Sequence, residues 1–179
     1  SGLPGWQVLR MTQVFDLSNP ANPVHIRDFA LPGQQPGAPK RENPRLHDGH
    51  GAFSTGPKGN RLYFGYGNVG NGAFQIVDRK KLLEGPKEPT AENLLYPQVS
   101  FQNVGTWQAV HSVYPLIGME VAEFANSHRG KVRDFLLVLP EPIENDCQEE
   151  RQMMFVVDIT NDAQPFGVAN FQVPHKSGD

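Results

Sequence analysis

The chain has 179 residues and a formal net charge of −3; 38% of it is hydrophobic, and 18 glycines with 16 prolines make nearly a fifth of it turn formers. That is enough chain for one domain with a sizeable core, and the balance fits many short strands joined by turns better than a compact α/β enzyme. No Lys/Arg run exceeds Arg79-Lys80-Lys81 and the longest apolar run is Phe135 to Leu139, so a polyanion-binding face, hence nucleic acid as a partner, and a membrane-spanning helix of roughly 20 apolar residues are both excluded.

Ser1 to Gly5 carries neither an initiator Met nor a charged-then-apolar leader, the pattern expected of a processed chain or a piece of a larger one. The single cysteine, Cys147, allows no internal disulfide and leaves the redox compartment open. Trp6 to Asp16 is expected to be a strand. Asp16, Ser18 and Asn19 can bond nearby backbone groups and Pro20 and Pro23 donate none, so the chain reverses into a second strand from Val24 to Leu31. Pro32 to Arg45 is expected to be a surface loop.

Leu46 to Ser54 and Arg61 to Tyr66 are expected to pair as a hairpin through the turn Gly56 to Asn60. Gly65, Gly67 and Gly70 match the G-x-G-x-x-G spacing, but Asn71-Gly72 leads into the strand-like Ala73 to Asp78, whereas a dinucleotide site needs a helix there. Arg79 to Asn93 is polar, with a short helical turn expected at Lys80 to Leu83. Val99 to Phe101 and Gln108 to Tyr114 have strand character, Ile117 to Phe124 fits helix or strand, and Ser127 to Val132 is a turn. Phe135 to Leu139 is the most apolar strand and is expected to be buried on both faces. Glu141 to Arg151 holds five acids without D-x-D-x-D-G spacing, which fits a solvated rim loop better than a hard-cation site.

One pattern recurs. VFDLSNPANPV, Val14 to Val24, returns as FVVDITNDAQPF, Phe155 to Phe166: an apolar strand ending in Asp, a hydroxyl residue, an Asn/Asp/Pro/Ala turn and a second strand. FQIVD, Phe74 to Asp78, keeps only the strand and its Asp. These segments resemble LVIVD repeats, a β-propeller repeat, and the architecture is similar to that of the selenium-binding-protein and methanethiol-oxidase group. The resemblance implies an all-β fold, a β-propeller-like array of about two and a half to three blades. Residues 1–40 would form a half blade, 41–105 and 106–174 two blades, and 175–179 a tail or the start of the next. The Asp16–Asp78 and Asp78–Asp158 intervals, 62 and 80 residues, exceed a plain blade of about 40 to 50 residues, which long connections would explain. A closed ring needs at least about four blades, so the expectation is a fragment of a longer protein whose remaining blades, or another subunit, complete it. Resemblance alone points to an extracellular or periplasmic location.

In this scheme a histidine-bearing strand follows each Asp-ended strand: His47 and His50 after Asp16, His111 after Asp78, His175 after Asp158. Innermost strands line a propeller axis, so His47, His50 and His111 are the candidate ligands for Zn, Cu or Fe, with Asp48 and His175 as weaker candidates. Residues three apart on a strand point to opposite faces, so direct binding by both His47 and His50 requires a bulge at Gly49. Asp16, Asp78 and Asp158 are expected to form turns rather than catalyse, and Trp6, Tyr63, Trp107 and Phe155 to pack sheets rather than cage a ligand. No Gly-x-Ser-x-Gly is present, and Cys147 lies among acids that disfavour a thiolate. Two functions remain: a non-catalytic binding or scaffold module presenting loops such as Pro32 to Arg45 and Glu84 to Tyr96 to a protein or small-molecule ligand, and a metal-dependent oxidoreductase or other metalloenzyme using the axial histidines.

Overall fold

Side chains next to the turns cut this chain into short antiparallel strands. A computed structural model describes residues 3–8, 10–40, 59–67, 72–105, 108–141 and 153–172. Strand β1 (Thr12–Asp16) ends where the Asp16 carboxylate accepts from the Ser18 N–H at 2.8 Å and the Ser18 hydroxyl at 2.6 Å. The Asn19 side chain then accepts from the Ala21 N–H at 3.2 Å, and β2 (Val24–Phe29) returns antiparallel to β1. At the other copy of the pattern the Asp158 carboxylate accepts from the Thr160 N–H at 2.9 Å. Asp78 uses the same geometry to start a helix: it caps α1 (Arg79–Glu84) by accepting from the Lys81 N–H at 2.9 Å.

The remaining elements are β3 (Arg61–Tyr66), β4 (Ala73–Asp78), α2 (Ala91–Leu95), β5 (Gln98–Asn103), β6 (Ala109–Glu120), β7 (Val132–Glu141), β8 (Met154–Asp158) and β9 (Phe166–Phe171). They form three antiparallel sheets, β1-β2, β3-β4-β5 and β6-β7-β8-β9, each in chain order. The fold is all-β, with 46% of the described residues in strands.

The sheets stack in sequence order because β3 and β4 of the middle sheet carry apolar side chains on both sides. With period two, Phe64 and Tyr66 of β3 and Ala73 and Val77 of β4 pack with Phe29 and Leu31 beside the first sheet. Tyr63, Phe74 and Ile76 face the other way, onto Val110, Val113, Leu136, Val138 and Val157 of the third. Gly65 permits close approach there: a Cβ on it would sit 2.8 Å from the Val110 carbonyl oxygen. Trp6 packs against the first cluster and Phe155 against the second, and Tyr63 is 1% exposed.

Several elements differ from expectation. The strand expected from Trp6 begins only at Thr12, since the preceding backbone is tied elsewhere, the Gln7 N–H donating to the Gln34 carbonyl at 2.9 Å. Pro32 to Lys40 is not a plain surface loop, because Gln34 is fully buried and its side-chain oxygen accepts from the Leu31 N–H at 2.9 Å. Helix α2, capped by the Thr90 hydroxyl, lies where no helix was expected. The ambiguous Ile117 to Phe124 divides, with β6 running on to Glu120 through an irregularity at Gly118 (φ +71°) and a 3-10 turn at Ala122–Phe124. The strand buried on both faces is β4, not Phe135 to Leu139: Leu136 and Val138 are fully buried, whereas Leu139 is 37% exposed. Burial of both faces requires a sheet on each side, and among the described residues only the middle sheet has that. Leu46 to Ser54, with its expected hairpin, lies outside the described residues.

Candidate functional site

The three strand-ending aspartates sit in graded surroundings. Asp16 is exposed, and hydrogen bonds from the Ser18 hydroxyl and N–H hold its carboxyl below the usual range. Asp78 is half-buried; burial works to raise it, and the Lys81 N–H, Asn60 and Arg61 outweigh burial and lower it. Asp158 is 1% exposed beside Arg133 at 4%. Arg133 donates from Nε at 2.8 Å and from Nη2 to the same carboxylate oxygen, and Nη1 donates to the Arg129 carbonyl at 2.8 Å. Burial again pushes Asp158 up, but the Thr160 N–H and Arg133 prevail and hold it down.

Arg61, opposite Asp78 in the β3–β4 register, bridges the second and third sheets, with Nε donating to Asp162 at 2.7 Å and Nη1 to Asp78 at 3.4 Å. Burial, then the nearby Asp162, pushes the Tyr63 hydroxyl up to about 12. The aspartates thus act as turn formers and charge partners.

Of the candidate metal ligands the structure places one. His111 lies on β6 with its Nδ1 3.1 Å from Glu141 Oε2, both side chains about one-third exposed. His47, Asp48, His50 and His175 lie outside the described residues, as do Cys147, Trp107 and the acids of 142–150. Among the described residues no group of three or more His, Cys, Asp or Glu side chains is arranged to hold a metal ion. No described helix is long and apolar enough to cross a membrane. Of the glycines of the G-x-G-x-x-G spacing, Gly65 lies in β3, Gly67 directly follows that strand and Gly70 lies outside the described residues, and the next described element is the strand β4.

Two surfaces were not read from the sequence. The outer face of the third sheet carries Tyr114, Leu137 and Val156 side by side in register, with Tyr114 and Phe171 about half exposed. Beside β1 runs a groove of about 610 Å³, bordered by Thr12 and Val14 on one wall and by Leu62, Phe64 and Leu82 on the other. Apolar residues were visible in each segment, but which side a neighbouring sheet would cover was not.

No protein-family model matches the chain. The curated proteins give no match either. Fold and surfaces therefore define the protein only as an all-β stack of three antiparallel sheets with one apolar face open.

Proposed function

We propose that the chain is a non-catalytic binding or scaffold module, a partial β-propeller of the LVIVD type whose sheets are successive blades. The observation that carries this reading is the row Tyr114, Leu137 and Val156 on the outer face of the third sheet. By register it corresponds to Tyr63 and Ile76, the side of the second sheet that the third sheet covers. An apolar sheet face of this kind fits a further blade of the same protein or of another subunit. Sedimentation of the isolated chain at rising concentration is expected to show association, and Leu139→Glu with Phe171→Asp is expected to abolish it while leaving the melt intact. A parent chain that stays monomeric throughout would remove the support for this reading.

A second reading, a metal-dependent enzyme, draws on the His111–Glu141 contact, since a carboxylate beside one imidazole nitrogen is how metal-bound histidines are commonly oriented. It expects stoichiometric Zn, Cu or Fe in protein purified without a His tag, lost in His50→Ala and His111→Ala. Full metal retention in both variants, or substoichiometric metal in the parent, would eliminate it.

A further inference from the structure

The second and third sheets share a feature that the first lacks. In each, the strand that ends in aspartate is flanked on both sides: β4 by β3 and β5, β8 by β7 and β9. The strand on its N-terminal side runs antiparallel and brings an arginine to the aspartate. Arg61 of β3 lies directly opposite Asp78, and Arg133 of β7 lies two residues before Phe135, the residue opposite Asp158. That strand also sets a bulky apolar side chain two residues before the aspartate's position on the partner, Tyr63 opposite Ile76 and Leu137 opposite Val156.

In the first sheet β1 pairs only with β2 among the described residues. Its other edge borders the groove, whose far wall is the apolar surface of Leu62, Phe64 and Leu82. A strand's backbone groups point alternately to its two neighbours, so among the described residues this edge presents N–H and C=O groups without a strand partner beside an apolar trough. Among the described residues Asp16 accepts hydrogen bonds from Ser18 and is in no ion pair, although Arg79 also lines the groove. The space along this edge, between β1 and the trough's far wall, is where β3 and β7 lie in the other two sheets.

We propose that the open edge of β1 and the groove beside it accept an extended strand from a partner segment, which runs antiparallel to β1, brings an arginine to Asp16 and seats a bulky apolar side chain opposite Val14. Main-chain hydrogen bonds to β1 supply the affinity, and the arginine with the alternate apolar side chain sets the register. This deepens the binding-module reading and rests on its blade scheme. It uses the opposite end of the stack from the open face of the third sheet, so peptide capture at β1 and association through that face are measured separately.

The probe is a peptide with the sequence of Asn60–Gly67, NRLYFGYG, carrying two added lysines for solubility, titrated into the full chain. Amide exchange followed by NMR is expected to show Thr12–Asp16 becoming protected with saturating peptide. Asp16→Asn in the protein, or Arg→Ala in the peptide, is expected to weaken binding roughly three- to fivefold, as an exposed ion pair does. Two further peptides, N-methylated on alternate residues, are expected to split, one losing binding and the other keeping it, because only every second N–H faces β1. The proposal is overturned by a peptide that leaves the β1 amides unprotected, by equal binding of the two methylated peptides, or by affinity indifferent to both the Asp16 and arginine changes.

Discussion

Asp158→Asn is expected to be the most damaging of three chemically identical substitutions at the strand-ending aspartates. Asp158 and Arg133 are almost wholly excluded from water, at 1% and 4% exposure. Asparagine can still accept from the Thr160 N–H, which now lies 2.9 Å from the carboxylate, but it leaves the Arg133 guanidinium without its counter-charge. Removing one partner of a buried pair costs about 3–5 kcal/mol; because Arg133 keeps its bond to the Arg129 carbonyl, the lower end, about 3 kcal/mol, is expected. For a chain of this size that lowers the melting temperature by about 6–12 °C. Asp16→Asn, at an exposed turn, is expected to leave the melt unchanged, with Asp78→Asn between the two. Urea unfolding read as a shift in midpoint at constant slope gives the three values. Equal losses at Asp158 and Asp16 would refute the argument, since sequence context is shared and the buried pairing with Arg133 separates them. Replacing the pair together, Asp158→Leu with Arg133→Met, is expected to recover most of the loss.

Further outcomes follow from the same contacts. Asp78 and Asp158 have carboxyls lowered in the folded chain from an unfolded value of 3.8, so their contribution is complete above that pH and disappears as pH falls through the folded values. Acid titration monitored by circular dichroism should therefore show a shallower loss for Asp158→Asn than for the parent, and parallel curves would contradict the assignment. Gly65→Ala would put a Cβ 2.8 Å from the Val110 carbonyl oxygen and is expected to cost about 1–3 kcal/mol. Gly167→Ala, which meets nothing within 4 Å, is the matched control, and equal midpoints for the two would disprove tight contact between the second and third sheets. Tyr63→Phe removes a buried hydroxyl that has no hydrogen-bond partner among the described residues, so stability is expected to hold or rise by up to about 1 kcal/mol. A clear loss in the same unfolding assay would reveal a partner.

Local chemistry was legible from the chain itself. Asp16 with Ser18 and Asn19, and Asp158 with Thr160 and Asn161, act on backbone groups two or three residues away, so the turns they form were readable without a fold. The helical turn after Asp78 was readable for the same reason. Helix α2 also had a signal, Thr90 one residue before it, but five residues carry too little periodicity to announce a helix. The placement of the candidate metal ligands remained an expectation, with only His111 among the described residues.

Everything that depends on which sheet lies against which was decided by the tertiary structure. Phe135 to Leu139 is the more apolar run, yet β4 is the strand covered on both faces, because coverage comes from sheets built up to a hundred residues away. Arg61 and Asp162 are 101 positions apart and meet at 2.7 Å only because the second and third sheets stack. The groove beside β1 and the open face of the third sheet exist for the same reason. A turn is set by interactions across a few bonds, whereas an exposed edge or face is defined by what packs, or does not pack, against it in space.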